Sequence, residues 1–300
     1  MQLVSYRFAF YAVALLVLSC IPLLQGYTGT ELQKVFEIKS LVFFLGVIAA
    51  TIANTTGVGG GIVFVPAFTL FQVDPIIALG TSFAIQSFGM SSGAVNWIAR
   101  LEATHGLDNP LRKYRSWISW GIMISCTSTA LGQYIIPPSP HILHLVFSGF
   151  SLTISGLLFW TISRPRKTRS TDLKYTAPSA VSGVILCILG GFITSWLSIG
   201  IGEIVAFYLI FQGVNARHAI AVAVIFSAAN ALVGSVYYIQ QGPLIDLDLL
   251  FFASFGAMIG GALSPALATL LSEITLKKYA ATWIMITAAA YFVLGAIHLG

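Results

Sequence analysis

Apolar residues run along this chain in long blocks, separated by short polar stretches. The blocks cover 6–24, 39–54, 58–73, 76–99, 117–136, 141–163, 178–197, 201–213, 216–239, 247–271 and 279–299. A helix rises about 1.5 Å per residue, and roughly 20 residues cross the hydrocarbon of a bilayer. Most blocks are predicted to be membrane helices on that measure. The blocks at 58–73 and 201–213 reach only about 20–24 Å. They are predicted to be half-helices, or to pair with a neighbour that is also broken. The predicted fold class is an all-α integral membrane protein.

The blocks repeat. Sliding the chain against itself by 141 residues, which carries Gly59 onto Gly200, aligns 41–98 with 182–239 without a gap. Gly61 then meets Gly202, Gly93 meets Gly234, Val73 meets Val214 and Ala78 meets Ala219. The boundaries of the blocks coincide as well. The expected organisation is an N-terminal membrane helix and external loop over 1–38, a first five-span repeat over 39–163, a cytoplasmic basic loop over 164–177 and a second repeat over 178–300. Five spans is an odd number, so the two repeats are expected to be inverted relative to each other. Inverted repeats with interrupted helices at matching positions are an architecture of secondary transporters, with the substrate at the repeat interface.

Charge agrees with this picture and orients it. Asp, Glu, Lys and Arg make up 8% of the chain, against roughly 25% in a soluble domain, too few to cover a surface facing water. The net charge of +5 is carried by short connections, which excludes a nucleic-acid footprint and suits membrane orientation. Arg100, Arg112, Lys113 and Arg115 lie in 100–116; Arg164, Arg166, Lys167, Arg169 and Lys174 lie in 164–176; Lys277 and Lys278 lie in 272–278. The connections 137–140 and 240–246 hold no Lys or Arg. The first three are therefore expected on the cytoplasmic side and the last two outside, with the N-terminus inside, the C-terminus outside and 25–38 outside.

Two glycine-rich breaks carry the candidate chemistry. The first reads Asn54-Thr55-Thr56-Gly57-Val58-Gly59-Gly60-Gly61, with Pro66 in the block that follows; the second reads Thr194-Ser195-Trp196-Leu197-Ser198-Ile199-Gly200-Ile201-Gly202-Glu203. Glycine takes the backbone angles a break needs and lets a ligand approach the main chain. Each helix that restarts after a break opens with unpaired N–H groups, and those groups together with the helix dipole attract an anion. Inversion brings the two restarting helices toward one cavity from opposite sides, an anion site without lysine or arginine. The expected substrate contacts are Asn54, Thr55, Thr56, Gly57, Gly59, Gly60, Gly61, Gln86, Ser195, Ser198, Gly200, Gly202 and Asn230. Glu203, an acid within a span, is the proton-coupling candidate; the competing reading is a carboxylate that complements its own helix N-terminus. Because a proton on it would favour an anion nearby, and the reverse, the two would travel together. Arg217 and His218 are candidates for an entry that gathers anions; the competing reading is a solvated pair in a turn.

At these residues the chain resembles the TauE/SafE sulfite exporter family of anion permeases. The resemblance rests on Gly57-Val58-Gly59-Gly60-Gly61 with Pro66, and on a degenerate second copy at Gly200-Ile201-Gly202-Glu203. It implies a multi-pass permease of the bacterial inner membrane that moves sulfur oxyanions or organosulfonates such as sulfite and sulfoacetate. The second copy departs from the first, with Glu203 in place of Ile62 and Phe207 in place of Pro66.

Other classes fit less well. Cys20, Cys126 and Cys187 lie in apolar runs without a Cys-x-x-Cys pair, and His141 and His144 lack a third ligand, so no metal site and no cofactor are expected. The spans offer neither paired acids nor His-Glu-x-x-His, which argues against an intramembrane enzyme. An anion channel and a non-transporting membrane subunit remain the alternatives. The expected partners are a small anion, the lipid bilayer and protons, with no nucleic acid.

Overall fold

The computed structural model describes residues 2–25, 29–106, 109–163 and 177–299, and among these every regular element is helical. In order they are α1 (Gln2–Leu24), α2 (Gly29–Thr56), α3 (Gly61–Leu70), α4 (Pro75–His105), α5 (Pro110–Lys113), α6 (Arg115–Ile135), α7 (Pro140–Ser163), α8 (Ala177–Leu197), α9 (Ile201–Phe211), α10 (Ala216–Gln240), α11 (Leu247–Leu270) and α12 (Glu273–Leu299). The two short blocks are indeed half-helices. α3 has 10 residues and α9 has 11. The basic connection 164–176 lies outside the described residues. Three boundaries differ from expectation: residues 29–38 continue α2 rather than form a loop, α4 runs on to His105, and α12 begins at Glu273; the short α5 also lies in the expected connection 100–116. Polar residues end an apolar run without ending a helix, and Glu31, Lys34 and Glu37 recur at the three-residue spacing that a helix tolerates.

Burial is arranged for lipid rather than water. Phe8, Leu16, Phe44, Met123, Val181, Leu232 and Leu270 are exposed, whereas Asn54, Ser82, Ser92, Thr129, Asn230 and Ser264 are buried. Among the described residues Ile142–Trp160, Ala216–Gln240 and Leu247–Leu270 are each long and apolar enough to cross a membrane. Glycines let the helices approach backbone to backbone. Gly46, Gly256 and Gly260 bring α2 against α11, where a Cβ would run into the carbonyls of Ala253, Phe43 and Val47. Gly191 does the same between α8 and α6 at the carbonyl of Ser125. α4 and α10 cross at the centre, with Gly234 beneath the ring of Phe83. α7 and α12 pair, Phe147 meeting Tyr291 edge-on at 5.0 Å and Ser155 Oγ donating to Ala281 O at 2.8 Å.

Local geometry recurs at the same offset as the sequence. α2 ends at Gly57 (φ 80°) and α8 at Ser198 (φ 59°), each donating its N–H to the carbonyl four residues back, Ala53 at 2.9 Å and Thr194 at 2.9 Å. α3 closes through Gln72 (φ 59°) and α9 through Gly213 (φ 88°), after which Val73 donates to Phe68 O at 3.1 Å and Val214 to Leu209 O at 3.0 Å. α4 then starts on Asp74, whose carboxylate accepts from Ile76 N–H at 2.9 Å, and α10 on Asn215, whose side chain accepts from Arg217 N–H at 3.0 Å. Both are helix N-caps of the same extended geometry, ψ 134°.

The half-helices lead to opposite ends of the bundle. α3 ends where α4 begins, beside 244–246: Asp246 N–H donates to Thr81 Oγ1 at 2.9 Å. Gln25 is bonded to Asp248 at that end. α9 ends where α10 begins, beside His105, whose ring stands 5.3 Å from that of His218. At this second end Arg217 donates to Thr269 O and Leu271 O, and Arg100 to Thr269 Oγ1.

Candidate functional site

The two breaks meet in the middle of the molecule. Gly61 rests on the carbonyl of Ser198 and Gly202 rests on the carbonyl of Gly57; a Cβ at either would stand 2.8 Å from that oxygen. The two contacts exchange under the repeat offset, so each break is packed on the other in the same way. Any side chain at these positions would push the breaks apart, which is the physical reason for glycine here.

Glu203 fills the junction. It lies in the first turn of α9 and is 3% exposed. One carboxylate oxygen accepts from the N–H of Gly200, at the start of its own helix, at 2.7 Å. The other accepts from the N–H of Gly59, in the first break, at 2.9 Å. The 141-residue offset carries Gly59 onto Gly200, so one carboxylate takes matching donors from both breaks. The capping expected of an acid in a first helical turn is present, and the bond to Gly59 goes beyond it.

A polar cluster stands beside the carboxylate. Gln86 Nε2 of α4 donates to Ser198 Oγ at 2.6 Å and to Ser198 O at 3.1 Å, and Ser82 Oγ pairs with Ser198 Oγ at 3.2 Å. Thr194 Oγ1 accepts from Ile201 N–H at 2.8 Å, occupying another donor at the head of α9. Gln86, Ser198, Gly59, Gly200, Gly202, Glu203 and Ser227 line a small cavity of about 10 Å³, room for about one water. Ser227 Oγ has no hydrogen-bond partner there, and the residue is 6% exposed. A second cavity, almost wholly apolar, lies on the other side of Glu203, between Thr56, Ile154, Leu158, Phe207 and Ile220.

The structure thus gathers Gly59, Gln86, Ser198, Gly200, Gly202 and Glu203 at one place, with Gly57, Gly60 and Gly61 in its walls and Thr56 on the apolar side. It separates four others. Asn54 donates to Ala50 O at 2.8 Å and packs against Gly93, while its carbonyl accepts from Trp97 Nε1 at 2.9 Å. Thr55 turns to Thr51 O at 2.7 Å and lines a lateral groove with Leu267 and Trp283. Ser195 faces α6, against Gly132. Asn230 ties α10 to α6, donating to Ser125 Oγ at 2.9 Å and accepting from Thr129 Oγ1 at 2.7 Å. Arg217 and His218 lie at the second end, away from the junction. Ser82, Thr194 and Ser227 also stand at the junction, beyond the expected substrate contacts. Ser227 had a signal, since the repeat offset carries Gln86 onto it.

Comparison with known proteins follows the same lines. A family model described as "Sulfite exporter TauE/SafE" matches residues 42–291, which takes in both breaks. The "Probable membrane transporter protein YjnA" of Bacillus subtilis (strain 168) is 25% identical over 246 residues, covering 75% of this chain and 89% of the relative. No solved structure gives a comparable match. This multi-pass membrane protein is accordingly a transporter and not an enzyme, and it belongs to the TauE/SafE sulfite exporter family.

Proposed function

We propose that the chain is a secondary transporter of a small anion, a sulfur oxyanion or organosulfonate such as sulfite or sulfoacetate, which binds between the two glycine-rich breaks. The observation that carries this reading is the convergence of the Gly59 and Gly200 N–H groups on one buried carboxylate. Backbone donors at two helix starts hold a negative group there without any lysine or arginine, as such sites hold oxyanions. The hydroxyls of Ser198 and Ser227 and the amide of Gln86 add donors that replace part of an anion's water shell.

The same reading makes the two halves inverted repeats in a bacterial inner membrane. Its supports are the matched geometry of the breaks, the exchange of Gly61 and Gly202 contacts, and half-helices that run to opposite ends. A site with room for about one water favours a carrier, which opens to one side at a time, over a channel. Two measurements test it. Counterflow of labelled sulfite in proteoliposomes marks a carrier, and its absence alongside passive flux marks a channel. Gly60→Leu, whose side chain would meet Gln86 and Phe64 rather than backbone, is expected to abolish transport while the protein still inserts and purifies; normal transport by that variant moves the site elsewhere.

A further inference from the structure

We propose that Glu203 is a tethered anion that occupies the site in the resting protein, and that a substrate anion enters by displacing it, the carboxylate taking a proton as it leaves. This rests on the reading of the breaks as the anion site, and adds to it how the site opens and what it exchanges.

The bonding comes first. Capping its own helix would engage one oxygen of Glu203, the one that accepts from Gly200. The other reaches across the repeat interface to Gly59. The carboxylate therefore stands where an oxyanion would stand, on the same pair of donors, in charge-assisted hydrogen bonds. A second observation is independent of that carboxylate. Ser227 Oγ, 6% exposed and unpartnered, lies in the wall of the polar cavity, over Gly202. A buried hydroxyl without an acceptor suits a visitor that brings one. Size supplies the third. With Glu203 in place, the polar cavity of about 10 Å³ holds no sulfonate or sulfite, so the donors become available to one only when the side chain moves.

The move has a place to end. Among the described residues Glu203 alone lines both the polar cavity and the apolar one beyond it. Swung into the second, its head would lie among Ile154, Leu158, Ala206, Phe207 and Ile220, without backbone donors. A carboxylate there is costly and a carboxylic acid far less so. The balance is then simple: one anion binds the vacated N–H groups and one proton from solvent joins a Glu203 oxygen, so a singly charged anion leaves the charge at the junction the same and a doubly charged one adds a single negative charge. Among the described residues no other titratable side chain from α2, α3, α4, α7, α8, α9 or α10 lines either cavity, so Glu203 is the group that takes the proton.

The test uses the purified full-length protein in detergent, with thiosulfate and ethanesulfonate as probes because neither titrates near pH 7. Glu203→Gln and Glu203→Ala are each expected to bind thiosulfate at least about ten-fold tighter than the wild type, since no tethered anion competes. In weakly buffered solution wild-type binding is expected to take up about one proton per anion and the variants none. Loss of thermal stability in Glu203→Ala should be recovered by added thiosulfate, which refills the vacated donors. Equal affinities in wild type and Glu203→Gln, without proton uptake, would overturn displacement and leave the anion site standing. Weaker binding in both variants, with no recovery of stability, would make Glu203 a brace between the breaks and overturn it too. Binding of neither probe by any form would remove the anion site itself, and the displacement with it.

Discussion

Gly61 and Gly202 are the residues where the smallest change should have the largest effect. Each lies against a carbonyl of the opposite break, and an added methyl would stand 2.8 Å from it. Gly61→Ala and Gly202→Ala are each expected to lose roughly 1–3 kcal/mol by overpacking and to stop transport. Melting in detergent and uptake in proteoliposomes read the two effects; an alanine variant with wild-type uptake would mean the breaks can spread without harm. Gln72 invites the opposite change. It is an exposed residue at φ 59°, and its counterpart in the other copy is Gly213 at φ 88°. Gln72→Gly should raise stability by about 1 kcal/mol, because glycine adopts that conformation freely; a lower melting temperature would contradict the account. The breaks at the glycines were legible in the sequence because interruptions stand out in an apolar text, as does a lone intramembrane acid such as Glu203. Asn54, Ser195 and Asn230 lie away from the junction of the breaks for a physical reason. Nearness to a break along the chain does not say which face of a helix a residue occupies, and these three turn toward neighbouring helices.

At the scale of elements, the apolar runs located the helices well, because a bilayer selects long apolar stretches and short polar stretches separate them here. The start of α2, the end of α4 and the start of α12 were misplaced, since charges at 31, 34 and 37, at 100 and 102, and at 273, 277 and 278 hid helices that outrun their apolar parts. The caps were not read from the sequence at all. Asp74 and Asn215 look like ordinary turn residues until the structure shows each accepting a hydrogen bond from the N–H two residues on. Their equivalence gives a prediction: Asp74→Ala and Asn215→Ala should each destabilise the protein by about 1 kcal/mol. A large difference between the two, measured by thermal unfolding, would show that α4 and α10 do not start alike.

For the molecule as a whole, the ends of the bundle can be tested against the membrane. Single cysteines in 240–246 are expected to react with an impermeant reagent from outside intact cells, and cysteines in 164–176 to be spared. The reverse labelling would overturn the proposed orientation. Arg100 and Arg217 meet Thr269 at the end opposite 240–246, as expected if the connections rich in Lys and Arg share the cytoplasmic side.

One departure from symmetry has a consequence for direction. Two inverted halves of identical sequence would give inward-open and outward-open forms of equal free energy, each the image of the other. The junction here is filled from one copy alone: Glu203 belongs to the second, and the first has Ile62 in its place. In the proposed inverted-repeat carrier, a charge supplied by one half would be carried with that half as the protein rocks, so the two forms would cease to be images and one would become the preferred waiting state. Exchanging the residues, with Ile62→Glu and Glu203→Ile in one chain, should therefore reverse which face of the empty protein is open, as read by cysteine accessibility from the two sides.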